Sequence, residues 1–194
     1  DEKQETSTYA WMFIKHPIPV VPNIRLEYAS IYATGKASGA WNGLSVLFGI
    51  GASSVLDMKQ YDIIPYYNIL DNTFWITLDL GVDIKVVDTT YEIESIGYEE
   101  SYTAPIPLLY ARTRAQIPTT DIGIEGDIKY VTTGSSTVYD ARIKVDYTFD
   151  ITPIVQPAIE IGYRVQKIKI DEDDQDVKTD MDFSGLFAGL MLRF

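Results

Sequence analysis

Residues 73–87 read TFWITLDLGVDIKVV, and their hydropathy alternates from one residue to the next. Phe74, Ile76, Leu78, Leu80, Val82, Ile84 and Val86 fall on one side of an extended chain. Trp75, Thr77, Asp79, Gly81, Asp83 and Lys85 fall on the other. A period of two puts successive side chains on opposite faces of a strand and does not fit an amphipathic helix. Strands of soluble sheets are usually about 5–6 residues long. A tilted strand that crosses a bilayer needs about 9–11, and this alternation is long enough for it.

The pattern recurs along the chain. In 122–132, Ile122, Ile124, Ile128 and Tyr130 oppose Gly123, Glu125, Asp127 and Lys129. In 138–149, Tyr139, Ala141, Ile143, Val145, Tyr147 and Phe149 oppose Asp140, Arg142, Lys144 and Asp146. In 154–170, Val155, Ile159, Ile161, Tyr163 and Val165 oppose Gln156, Glu160, Gly162, Arg164 and Gln166. The phase then slips near Lys167, which predicts a bulge. Weaker strands are expected at 8–15, 23–34, 55–69 and 104–117. A last one covers 181–194, where Leu186, Ala188, Leu190, Leu192 and Phe194 share a face. That makes nine. Over-splitting of 55–69 or of the N-terminal pieces would reduce the count to eight.

Composition excludes several classes. The 194 residues suit one domain spanning 1–194, and the net charge of −12 offers no basic surface for nucleic acid. Cysteine is absent, so disulfides and thiolate metal sites are excluded. No run of apolar residues is long enough for a membrane helix. A membrane barrel escapes that test, because outward apolar and inward polar residues average to a bland hydropathy. The opening DEKQETSTYA carries no leader pattern, and its first residues, DEKQETST, read as part of an outer loop.

Turn-like connections at HPIPVVPN, LDN, PTTD and DITP alternate with mostly longer polar segments at 35–54, 88–103, 133–137 and 171–180. Short turns at one end and longer loops at the other are the layout of an outer-membrane barrel. Aromatic residues cluster accordingly: Tyr67, Phe74, Tyr147, Phe149 and Phe194 near the short turns, and Tyr32, Tyr61, Tyr102, Tyr130 and Tyr139 near the long loops. Two water–lipid boundaries select two such belts. The expected fold is therefore an all-β, antiparallel up-and-down transmembrane β-barrel. Its C-terminus would face the periplasm. Bacterial single-chain barrels have even strand numbers, so ten strands are expected in the complete protein, with an N-terminal strand lying outside this sequence.

The phrases HPIPVVPNIRLEY (16–28), YDIIPYYNILDN (61–72), APIPLLYARTRAQIP (104–118), YDARIKVDY (139–147) and FAGLMLRF (187–194) resemble a family of small, uncharacterised outer-membrane β-barrel proteins of Gram-negative bacteria. The likeness spans most of the chain and marks strand ends and turns. It implies residence in the outer membrane among lipid and lipopolysaccharide, and engagement of the barrel assembly machinery by the C-terminal strand. It implies no activity.

The faces assign candidate residues. The lumen would be lined by Arg25, Glu27, Asp62, Asp79, Asp83, Lys85, Arg112, Arg114, Glu125, Asp127, Lys129, Asp140, Arg142, Lys144, Glu160 and Arg164. In a narrow barrel, opposed side chains are expected to meet across the lumen. Charges removed from water must pair, so the plain expectation is a salt-bridged plug. The alternative is a small channel or porin-like pore for ions or small solutes, passing Arg112, Arg114, Arg142 and Arg164. Lipid or its boundary would meet Tyr67, Phe74, Ile76, Leu78, Leu80, Tyr147, Phe149, Leu190, Leu192 and Phe194.

Catalysis is not expected. His16 is the only histidine and sits in a turn, so no Ser–His or Cys–His pair can be drawn. Asp79 and Asp83 could in principle act as acid and base, but they lie two pleats apart on one strand, where pairing with Lys or Arg is the plainer expectation. The run DEDDQDVKTDMD (171–182) lacks the central Gly and closing Glu of an EF-hand loop, so it reads as a solvated acidic loop and no metal is expected. The apolar, Gly-rich segment 40–54 lies between strands, with no Lys or strand–turn–helix context for a phosphate loop. Trp41, Leu44, Leu47, Phe48 and Ile50 are its candidate contacts for an unidentified protein partner. No cofactor is expected.

Overall fold

A computed structural model describes residues 3–18, 20–37, 52–93, 98–134, 136–151, 155–172 and 177–193. These form nine strands: β1 (Lys3–Ile14), β2 (Asn23–Ala37), β3 (Ala52–Thr73), β4 (Ile76–Ile93), β5 (Tyr98–Gln116), β6 (Ile122–Thr133), β7 (Ser136–Thr148), β8 (Gln156–Glu172) and β9 (Val177–Arg193). They follow one another in sequence order in one antiparallel up-and-down sheet. The number of strands is the nine expected from alternation. No helix occurs among the described residues.

The sheet divides into two compact units. Unit 1 holds Asp1–Pro65, Val82–Leu108 and Asp173–Lys178; unit 2 holds Tyr66–Gly81, Leu109–Glu172 and Thr179–Phe194. The strands β3, β4, β5 and β9 have residues in both units.

Three local expectations are corrected. First, the β3–β4 turn falls at Phe74–Trp75, not at 70–72, and Phe74 leaves the outward strand face for the tip of the hairpin. The backbone explains the shift, because Phe74 and Trp75 take φ of 52° and 64°, beside Asn72 at 51°. A two-residue turn with both central residues left-handed matches the right-handed twist of its strands. Such turns favour Asn-Gly. A bulky residue held there costs about 1–3 kcal/mol, and these two aromatics are 83% and 56% exposed.

Second, most of the polar stretches read as outer loops are strand. The chain following even-numbered strands covers 38–51, 94–97, 134–135 and 173–176, so only the first is longer than every connection that follows an odd-numbered strand. β3, β4 and β5 reach 22, 18 and 19 residues. Hydroxyl and carboxylate groups bond across the ladder and keep it extended. Thr90 Oγ1 lies 3.2 Å from Ser101 Oγ, and Thr103 Oγ1 donates to Asp88 Oδ1 at 3.2 Å. Directly after β6, Gly134 is left-handed at φ 58°.

Third, the pairing of β8 with β7 shows no bulge near Lys167. The β7–β8 register continues unbroken through Tyr139 opposite Lys167 and Val138 opposite Ile168. The apparent slip has another cause: Val138 and Ile168 are apolar residues on the buried face.

Candidate functional site

On the central strands, charge is buried and aliphatic surface is exposed. On β7, Asp140, Arg142, Lys144 and Asp146 are buried while Ile143, Val145 and Tyr147 are exposed. The pleat sorts the residues in this way, and pairing lets the charges remain out of water. All sixteen of the lumen candidates lie on the buried face. Arg114 and Arg164, with side chains 13% and 17% exposed, are its most accessible cations.

In unit 2 the charges form a row that takes one residue from each of six consecutive strands. Asn68 on β3 donates to Asp79 on β4. Arg112 on β5 bonds Asp79 Oδ2 at 2.5 Å and Glu125 Oε2 on β6 at 2.5 Å. Lys144 on β7 then lies 3.2 Å from Glu125 Oε1 and 2.8 Å from Glu160 Oε2 on β8. Beside this row, Arg142 grips Asp127 at 2.6 Å. Arg164 pairs with Asp140 at 2.6 Å, and Lys129 stands 3.9 Å from the same carboxylate. These links join strand to nearby strand within the sheet, in contrast to the expected meeting of side chains across a lumen.

Register and glycine make the pairing feasible. Glu125 faces Lys144, Asp127 faces Arg142 and Lys129 faces Asp140 across β6–β7. Across β7–β8, like charges face each other: Arg142 opposite Arg164, and Asp146 opposite Glu160. Like charges placed directly opposite destabilise a sheet, and the side chains turn aside. Arg142 turns to Asp127, Arg164 to Asp140, Glu160 to Lys144, and Asp146 receives Arg114. Arg114 sits on β5, two strands from Asp146, and crosses β6 over Gly123. Any Cβ at Gly123 would collide with that guanidinium. Gly162 opens a similar place, where the ring of Phe187 packs 2.6 Å from where its Cβ would stand.

Unit 1 differs. Lys85 Nζ lies 2.8 Å from Asp62 Oδ1 and 3.4 Å from Gln60 Oε1. Arg25 pairs with Glu27 at 2.5 Å and accepts the ring faces of Phe13 and Trp11, with centroids 4.8 and 5.7 Å away. Asp83 is fully buried nearby in sequence. Toward the end where β2 and β4 finish, the same face turns apolar, with Ala29, Ile31, Leu56, Met58 and Val87 buried, as is Leu108 on β5. Sequence reading did not pick out this apolar patch, because it followed the inward faces for their charges.

The remaining candidates are placed as follows. Tyr67, Ile76, Leu80, Tyr147, Phe149, Leu190 and Leu192 are exposed, Leu78 is half-buried and Phe74 occupies its turn. The side chain of Phe194 and the partner candidates Trp41, Leu44, Leu47, Phe48 and Ile50 lie outside the described residues. His16 holds its own turn. The Ile18 amide donates to its Nδ1 at 3.1 Å, and its Nε2 lies 3.0 Å from the Pro22 carbonyl. Among the described residues no group of three metal-ligating side chains gathers.

No protein-family profile, curated relative or solved structure matches the chain.

Proposed function

We propose that this chain is an integral outer-membrane β-barrel whose interior is filled by its own ion pairs, with a structural or interaction role and no catalytic one. The observation that carries it is the inversion of sheet polarity: paired charges are buried while Leu80, Ile143, Ile161, Leu186 and Leu190 are exposed. Soluble monomers rarely expose contiguous apolar patches on that scale. Outer-membrane lipid and lipopolysaccharide would cover it, and the likeness of FAGLMLRF to barrel C-termini supports recognition by the assembly machinery. Closure of an antiparallel barrel calls for an even strand count, so a tenth strand belongs to the proposal. A small channel is the second reading, favoured by the partial exposure of Arg114 and Arg164.

The decisive substitution is Ile143→Arg, on an exposed face in mid-strand. In bilayers it is expected to lower unfolding stability by about 2–4 kcal/mol if that face meets lipid. A loss within about 0.5 kcal/mol would mark a wetted surface and end the membrane reading. Planar-bilayer recordings then separate the two functions, since steady reproducible openings would favour the channel over the filled barrel.

A further inference from the structure

The most strained part of the described chain is also among its most exposed apolar parts. Phe74 and Trp75 occupy both central positions of the β3–β4 turn with left-handed backbone, where a small residue would sit without strain. Their side chains point away from the protein, at 83% and 56% exposure. Neither side chain therefore recovers the cost of its backbone through burial against this chain. The turn is fixed in place: the Trp75 carbonyl accepts the amide of Gln116 at 2.9 Å. The two other connections on this edge of unit 2 are also tipped with exposed apolar residues, Ile117 on one and Phe149, Ile151 and Val155 on the other. Thr148 N donates to the Asp121 carbonyl at 2.9 Å and ties those two turns together. The result is a stitched apolar rim, interrupted by Asp71, Asp121 and Asp150.

We propose that the Phe74–Trp75 turn is an anchor seated in the lipid–water boundary on the periplasmic side. It rests on the membrane-barrel reading. The occupant is lipid because the rim continues the exposed face of Tyr67, Ile69, Ile76 and Leu80, which that reading gives to the bilayer. A tryptophan at the tip of a hairpin whose Asn72 amide donates to Thr77 Oγ1 at 3.4 Å suits a zone that is apolar on one side and wet on the other. Transfer of two aromatic side chains out of water offsets the strain of their backbone, which explains why Asn-Gly is not found there.

The test uses tryptophan emission in phosphatidylcholine vesicles carrying bromine either near the headgroup or deep in the chains. Trp75 is isolated by Trp11→Phe and Trp41→Phe. The expected result is blue-shifted emission, with most of it lost to shallow bromine and little to deep bromine. A second protein, bearing Leu80→Trp in a background where Trp11, Trp41 and Trp75 are all replaced by Phe, should lose its emission to deep bromine. If that control is quenched while Trp75 emits as in water, the anchor is overturned and the barrel stands. If neither is quenched, both fall. Should the isolating changes impair folding, Phe74→Asn with Trp75→Gly in the native background is compared with wild type. The anchor predicts a folded protein lacking the shallow-quenched component, and an unchanged quenching profile would overturn it.

Discussion

The buried faces of the two units solve the same problem with different chemistry. In unit 2, six cations (Arg112, Arg114, Lys129, Arg142, Lys144 and Arg164) stand among six carboxylates (Asp79, Glu125, Asp127, Asp140, Asp146 and Glu160). In unit 1, Arg25 and Lys85 are the buried cations among the described residues, and much of the face is Ile31, Leu56, Met58, Val87 and Leu108. An apolar cluster needs only shape, so its members contribute almost independently. A charge row needs each member, because a carboxylate that loses its cation stays buried at several kcal/mol. The two units should therefore differ less in how much one substitution costs than in whether costs add.

Arg112→Met gives the largest expected effect. It strips Asp79 and Glu125 of their shared guanidinium and should cost about 3–5 kcal/mol in urea unfolding from vesicles. Arg142→Met should fall in the same range. Adding Asp127→Leu to it, which removes the charge Arg142 pairs with, should restore much of the loss, giving a coupling of about 1–3 kcal/mol. Strict additivity there would erase the contrast between the units. In unit 1, Leu56→Ala should cost about 2–4 kcal/mol, and its combination with Ile31→Ala or Val87→Ala should be closer to additive.

The strands, their faces and the charged residues were legible because a period of two survives any tertiary context. Val138 and Ile168 mark the limit of that signal: they sit on the buried face beside Asp140 and Gln166, and the pleat says which side a residue takes but not that the side changes character along its length. Pairing was illegible too. Arg142 faces Arg164 in register, so nearest-neighbour matching would have put two cations together. Only the side-chain torsions direct each to a carboxylate elsewhere. The Phe74–Trp75 turn was misplaced for a related reason, since LDN is better turn chemistry by composition than the residues that bend.

Glycine offers a finer test of how tightly unit 2 is filled. A Cβ at Gly162 would stand 2.5 Å from the Ile143 carbonyl oxygen and 2.6 Å from the Phe187 ring. Gly162→Ala should cost about 1–3 kcal/mol by overpacking. Gly126 also lies in unit 2, yet its Cβ would meet only the Arg142 carbonyl oxygen at 3.7 Å. Gly126→Ala should stay within about 0.5 kcal/mol. Equal costs at the two positions would mean that backbone freedom, not close packing, governs both.

A small and salt-dependent effect belongs to Lys167 and Asp182, an ion pair of the same kind as Lys144–Glu160 but exposed to solvent. Their separation is 2.9 Å, against 2.8 Å for the buried pair, yet their side chains are 27% and 64% exposed. Distance alone would rank the two equally. Water screens the first, while the second is buried, so Lys167→Ala should cost about 0.2–1 kcal/mol, and raising salt toward ~1 M, where the Debye length is about 3 Å, should remove even that. Lys144→Ala should keep its full penalty at both salt concentrations, because Glu125 and Glu160 remain buried without their shared ammonium. A salt-sensitive Lys144 variant would mean that water reaches the ion-pair row, and the filled interior would then give way to the channel.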